Sequence, residues 1–121
     1  MDRPIAYHGG QHTIAFARCN DGTSPAEEFF DGLPASDQRK LMTLFKRLGD
    51  HGKIFNTEKF KKEDRGFYAF KSYQIRMPCY FLRERVVVVT HGFTKKCDKM
   101  PPSELDRAER ILCEDRSCAK D

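Results

Sequence analysis

Between Lys53 and Lys99 the chain carries 12 Lys or Arg residues against 5 Asp or Glu, whereas the rest has 10 against 13. Clustered cations displace condensed counterions from phosphates, so one reading is a face that meets a polyanion. The other is a set of solvated strand edges, where lysine blocks unwanted pairing. Within the segment Lys95, Lys96 and Lys99 lie close in sequence. Mutual repulsion among ammonium groups favours the neutral amine, and only a neutral lysine can act as a base. His91 precedes them, and an imidazole with an ordinary pKa of about 6.5 can give or take a proton near neutrality.

Other chemistries find less support. The five cysteines, at 19, 79, 97, 113 and 118, are odd in number and contain no C-x-x-C pair. A disulfide framework or a zinc site would show even or closely paired ligands, so reduced thiols and no metal are expected. The longest aliphatic run, Val86–Val89, falls far short of the roughly 20 residues that span a bilayer. Met1 to Gln11 has no basic-then-apolar leader pattern, which makes a cytoplasmic location the expectation.

The elements that must position these side chains follow from periodicity. At 121 residues the chain has the length of one domain. Residues 1–12, with Gly9-Gly10, show no period and read as a flexible terminus, leaving 13–121 as the domain. Thr13–Arg18 alternates Ile14 and Phe16 and predicts a short strand. Ser24-Pro25-Ala26-Glu27 predicts a helix start with Ser24 as cap, and Phe29, Phe30 and Leu33 give that helix its buried side. Ser36 opens a second helix whose stripe is Leu41, Leu44, Phe45 and Leu48, with Gly49 as its left-handed stop.

After Gly52 the period changes. Residues 54–64 are polar and irregular, and Lys59-Phe60-Lys61-Lys62 reads as a charged loop. Phe67–Tyr73 and Gln74–Leu82 predict strands, with Pro78 at a bulge or on an edge. Arg83-Glu84 is a tight turn, and Arg85–Phe93 is a strand whose successive valines imply cover on both faces. Ser103 to about Arg116 is a helix with Leu105, Ala108, Ile111 and Leu112 on one side. The fold class is therefore α+β: an N-terminal strand, a two-helix hairpin, a largely antiparallel three-strand unit and a C-terminal helix.

The stretch His91-Gly92-Phe93-Thr94-Lys95-Lys96-Cys97-Asp98-Lys99-Met100-Pro101, followed by Glu104-Leu105 and Ala108, closely resembles the C-terminal signature of RelE/ParE-superfamily toxins, in particular their phage-derived HigB-like branch. Gly66-Phe67-Tyr68-Ala69-Phe70-Lys71 and Gln74-Ile75-Arg76 stand where that family has a Gly-Leu-Tyr run and an arginine opening the next strand. The resemblance spans about Thr13 to Leu112. Two departures stand out: Ala69 replaces a glutamate, and Met100 replaces the threonine before the helix-opening proline. The second passes the capping role to Ser103, with Asp106 three residues on.

The resemblance implies a RelE-like fold and the toxin of a type II toxin–antitoxin system, acting as a metal-independent messenger RNA endonuclease on the ribosome. It implies no cofactor, and its partners are mRNA, the ribosome and a cognate antitoxin of helix-turn-helix type. The same superfamily includes ParE-like inhibitors of DNA gyrase that cut no RNA, and an inactive phage-derived relic is a third reading, favoured by Ala69.

Metal-free RNA cleavage needs a base for a 2′-hydroxyl, a cation for the five-coordinate phosphate and an acid for the departing 5′-oxygen. Strand geometry lets Lys71, Arg76, Lys95 and Lys96 converge on one phosphate. Arg76 is assigned the transition-state charge, because a guanidinium grips phosphate oxygens in a fork and stays charged. Lys95 or Lys96 is assigned as base or second phosphate contact, His91 or Tyr73 as acid. Lys99 contributes to phosphate binding, and Tyr68 and Phe93 to base stacking. Each has a plainer reading beside it. His91 and Phe93 end an apolar strand and fit the core; Tyr68 and Tyr73 are ordinary strand residues; Lys95 and Lys96 fit a solvated turn. His8, His12 and His51 have no assigned role.

Overall fold

The four valines at 86–89 divide the interior in two. A computed structural model describes residues 3–96 and 99–119. Cys97 and Asp98 of the signature, Met1, Asp2 and residues 120–121 lie outside the described residues. The chain runs β1 (Ile5–His8), β2 (Thr13–Phe16), α1 (Pro25–Asp31), α2 (Ala35–His51), β3 (Phe60–Lys62), a 3-10 turn at Asp64–Gly66, β4 (Tyr68–Ser72), β5 (Ile75–Phe81), β6 (Val86–Val89), β7 (Phe93–Thr94) and α3 (Pro102–Ala119). The strands form one sheet in the order β1-β2-β6-β5-β4-β3, with β7 also on β5. Among the described strands only β2 and β6 pair in parallel; the other pairs are antiparallel.

Successive strand residues face opposite sides, so Val87 and Val89 join the core beneath α1 and α2, while Val88 joins the one beneath α3. The first core centres on Phe45, whose ring meets Phe70 edge-on at 4.9 Å between centroids. The second packs Leu105, Ala108, Ile111 and Leu112 of α3 on Ala17, Phe67 and Val88. Cover on both faces is thus what the valine run receives. Among the described residues no helix is long and apolar enough to cross a membrane.

Several local expectations give way. The first twelve residues hold a strand, because β1 pairs with β2 and Tyr7 packs on Gly49. Arg3 also reaches α3, its Nε 2.9 Å from buried Asp115, which accepts the Arg18 amide as well. Helix α2 runs past Gly49 to His51, and Gly52 takes the left-handed cap at φ 77°. Pro34, and not Ser36, precedes that helix. Ser24 makes no cap bond; its hydroxyl donates to the Ala17 carbonyl at 2.7 Å and pins α1 to β2. The charged loop at 59–62 contains the edge strand β3. Ser103 lies inside α3, which opens at Pro102, and Asp106 pairs with Arg65.

Pro78 sits on a central strand, not at an edge. Its backbone faces the point where β5 changes partner: residues 79–81 pair with β6 and 75–76 with β7. A missing N–H costs no ladder bond in that gap, and the Pro78 carbonyl accepts the Thr90 amide at 2.9 Å. The expected strand 85–93 is accordingly two strands, β6 and β7, interrupted at Thr90–Gly92.

The turn between β1 and β2 lies directly on α2. Gln11 and His12 donate to the Gly49 carbonyl at 2.7 and 2.9 Å, and a Cβ at Gly9 would stand 2.1 Å from the Gly49 carbonyl carbon. That overlap is with backbone, which cannot swing aside. Gly9→Ala should therefore lower stability by about 1–3 kcal/mol in denaturant titration; an unchanged midpoint would show the contact to be slack.

Candidate functional site

In the β4–β5 hairpin Lys71 stands opposite Arg76, and Arg76 stands opposite Phe93 of β7. Residues paired across strands share a face, so the three side chains emerge on the same side of the sheet. It is the α3 side, since Phe70 and Met77, their neighbours in sequence, belong to the core under α2. Lys61 pairs with Ala69 and joins the same face. The segment after β7 folds back when the Lys95 amide donates to the Gln74 carbonyl at 2.6 Å. It then leads through Met100 and Pro101 into α3. The outcome is a cleft lined by Lys61, Glu63, Lys71, Arg76, Phe93, Lys95, Lys99, Met100 and Pro101.

The basic groups are held by carbonyls. Arg76, 9% exposed, points one guanidinium nitrogen, Nη1, at the carbonyls of Tyr73 and Ile75, the latter at 2.9 Å. Burial lowers its pKa, and Glu63 opposes that shift. Lys71 Nζ donates to the Thr57 carbonyl at 3.1 Å. Its pKa is also lowered, first by burial, then by the charges of Arg76, Lys61 and Lys95, with Glu63 again opposing. Both effects disfavour the ammonium. Lys71 is thus driven towards the neutral form, a lysine to which sequence reasoning assigned no base role.

Of the residues singled out beforehand, Lys71, Arg76, Phe93, Lys95 and Lys99 line this cleft, and Lys96, exposed, does not. Tyr73 occupies the hairpin turn at φ 53°, 74% exposed, with Lys40 Nζ 4.2 Å above its ring. Tyr68 stacks on Phe60 at 5.2 Å on the opposite face of the sheet. Neither tyrosine reaches the cleft. Lys61, read as part of a charged loop, Met100 and Pro101, read as part of the signature, and Glu63 were given no place in the site. Two-residue alternation along 60–62 was the signal for Lys61, but three residues are too few to announce a strand.

His91 departs furthest from its assignment as an acid. It has no exposed surface and lies between Thr90 Oγ1, 3.0 Å from Nδ1, and Glu104 Oε1, 2.9 Å from Nε2. Burial above all lowers its pKa to about 4; Arg107 and Arg110 add to this and Glu104 opposes it. A neutral ring with its proton on Nε2 donates to Glu104 and so ties the strand end to the first turn of α3. The same ring lies against Phe93, 5.7 Å between centroids. Gly92 completes the unit, because a Cβ there would fall 2.2 Å from the Phe29 ring of α1. His-Gly-Phe is a packing device that delivers Phe93 to the cleft wall.

A family model described as "Phage derived protein Gp49-like (DUF891)" matches residues 28–112, more than half of the chain. The match begins inside α1, ends inside α3 and includes every residue of the cleft. No curated protein matches the sequence.

The His91 environment has a pH signature. Its folded pKa lies below its ordinary value, so the unfolded chain takes up a proton first as the solution is acidified. Stability from this group is complete above about pH 6.5 and is lost as the pH falls towards about 4. Thermal melting of parent and His91→Gln across that window should show a steeper acid decline in the parent. Parallel curves would remove this account of the buried ring.

Proposed function

Because the chain belongs to the Gp49-like family of phage-derived proteins, within the RelE/ParE-like toxin superfamily, we propose that it is a toxin of the HigB-like branch. In this reading it cleaves ribosome-bound messenger RNA and is restrained by a helix-turn-helix antitoxin. The observation that carries it is the cleft itself: Lys61, Lys71, Arg76, Lys95 and Lys99 line it, with Glu63 the single carboxylate among its described lining. Such a field draws in a phosphate, and it comes from four separate stretches of the chain.

The chemistry assigns roles by geometry and charge. Lys71, its ammonium disfavoured, takes the proton from the 2′-hydroxyl. The 2′-oxygen attacks phosphorus, and charge builds on the phosphate oxygens, where Arg76 is already oriented by its carbonyl contacts. The phosphorus–O5′ bond breaks, and the departing oxygen takes a proton from the Lys95 ammonium. A 2′,3′-cyclic phosphate and a 5′-hydroxyl result. Phe93 offers ring surface to a base, while Lys61 and Lys99 hold flanking phosphates. His91 and Glu104 position the wall and touch no RNA.

Induced expression followed by mapping of message 5′ ends should give cleavage sites that vanish in Arg76→Ala. The purified variant should lose about a hundredfold or more in rate, the usual cost of one charge-stabilising group. Intact RNA with accumulating DNA breaks would replace this reading with a gyrase-directed one, and harmless soluble expression with an inactive relic.

The pH profile tests the base. The parent rate should climb with pH as Lys71 loses its proton, and Lys71→Arg, which keeps the charge, should flatten that climb. Glu63 holds the Lys71 pKa up, so Glu63→Gln should move the climb to lower pH. Abolished cleavage in Glu63→Gln would instead make the carboxylate the base.

A further inference from the structure

The face of the sheet opposite the cleft carries an open groove of about 630 Å³. Its floor is Phe60, Tyr68 and Phe81, each ring in contact with the next: Phe60 and Tyr68 stacked at 5.2 Å, Tyr68 and Phe81 edge-on at 5.2 Å. Phe55 stands at the rim, 85% exposed. An isolated exposed apolar residue is ordinary, but a phenyl ring at the rim of a groove with an aromatic floor is the mark of a partner surface. Lys53 and Lys62 line the same groove, which has no acidic residue among its described lining.

These features specify an occupant. The floor calls for apolar side chains and the two lysines for carboxylates beside them. A second copy of the chain fits poorly, because two-fold pairing through this groove would bring the same lysines together. A nucleic acid is disfavoured as well, since Phe60 and Tyr68 already cover one another and the larger group of cations, Lys61, Lys71, Arg76, Lys95 and Lys99, lies on the other face. We propose that the Phe55 groove docks an acidic, amphipathic segment of a partner protein.

The site also bears on the cleft. Along β3, Phe60 and Lys62 face the groove while Lys61 faces the cleft. Thr57 lines the groove, and its carbonyl accepts the bond that holds Lys71. A segment seated here therefore shifts the stretch that supplies Lys61 and fixes Lys71, and weakens RNA binding. This consequence, unlike the docking, rests on the nucleic-acid reading of the cleft.

Panning a random peptide library on the full chain should enrich sequences that mix Leu, Ile or Phe with Asp or Glu. Selected peptides should bind Phe55→Glu at least about tenfold more weakly, with thermal melting confirming that the variant is folded. Reversing both rim charges, Lys53→Glu with Lys62→Glu, should abolish selection of acidic peptides and favour basic ones. Failure to enrich any sequence, equal binding to Phe55→Glu, or a dimer of the chain that Phe55→Glu dissolves would each overturn the docking proposal. Parent protein saturated with peptide should bind an oligoribonucleotide several-fold more weakly; unchanged affinity would overturn the coupling alone. Docking is scored without cleavage, so its failure and that of the nuclease reading are separable.

Discussion

Two cations, Lys71 and Arg76, face each other across the β4–β5 hairpin. Like charges opposed in this way destabilise a sheet, and the arrangement persists because each is held by backbone carbonyls. Thr57 takes the ammonium; Tyr73 and Ile75 take one end of the guanidinium. Most of the local architecture follows from this pair. The hairpin needs Tyr73 at positive φ to keep Lys71 and Arg76 in register. The stretch before β3 must return its Thr57 carbonyl to the sheet, and the segment after β7 must bring Lys95 to the same face. A repulsive pair of this kind is an arrangement that a bound anion would relieve.

The break between β6 and β7 serves the same end. An uninterrupted strand through Val89 would carry Phe93 along the β6 line. Pro78, unable to donate, lets the ladder lapse, and Thr90 bonds its carbonyl. His91 then turns inward to Glu104 while Phe93 resumes pairing opposite Arg76. Gly92 is small because Phe29 fills the space where its side chain would be. The most specific stretch of the sequence thus works chiefly through packing. The buried imidazole orients the wall, and the cations line the cleft beside it.

Cleft and groove are two faces of one thin edge. Strand β3, three residues long, pairs only with β4 among the described strands. Its alternation sends Lys61 one way and Phe60 and Lys62 the other. The stretch between Gly52 and Phe60 is tied down by the Thr57 bond, by the Lys71 amide donating to the Lys59 carbonyl at 2.8 Å and by buried Ile54, so the two surfaces meet along one short edge strand.

The apolar stripe of α2, the two-sided burial of the valines, the α3 face and the β4–β5 hairpin were all legible in the sequence, because each follows from periodicity within one element. Arg76, Lys71 and Lys95 were legible as a basic set for a similar reason: strand ends that are neighbours in sequence are neighbours in space. The strand at Ile5–His8 was not, since its evidence is a partner in β2 and a glycine in α2, neither of them local. Nor was the fate of His91: an imidazole at a strand end looks the same to the sequence whether solvent or Glu104 lies beyond it. The chain alone settled which residues alternate, which stripe is apolar and where charge accumulates. Packing alone decided which lysine loses water and neighbours' tolerance for its charge, because desolvation and cross-strand repulsion exist only once separate segments are brought against one another.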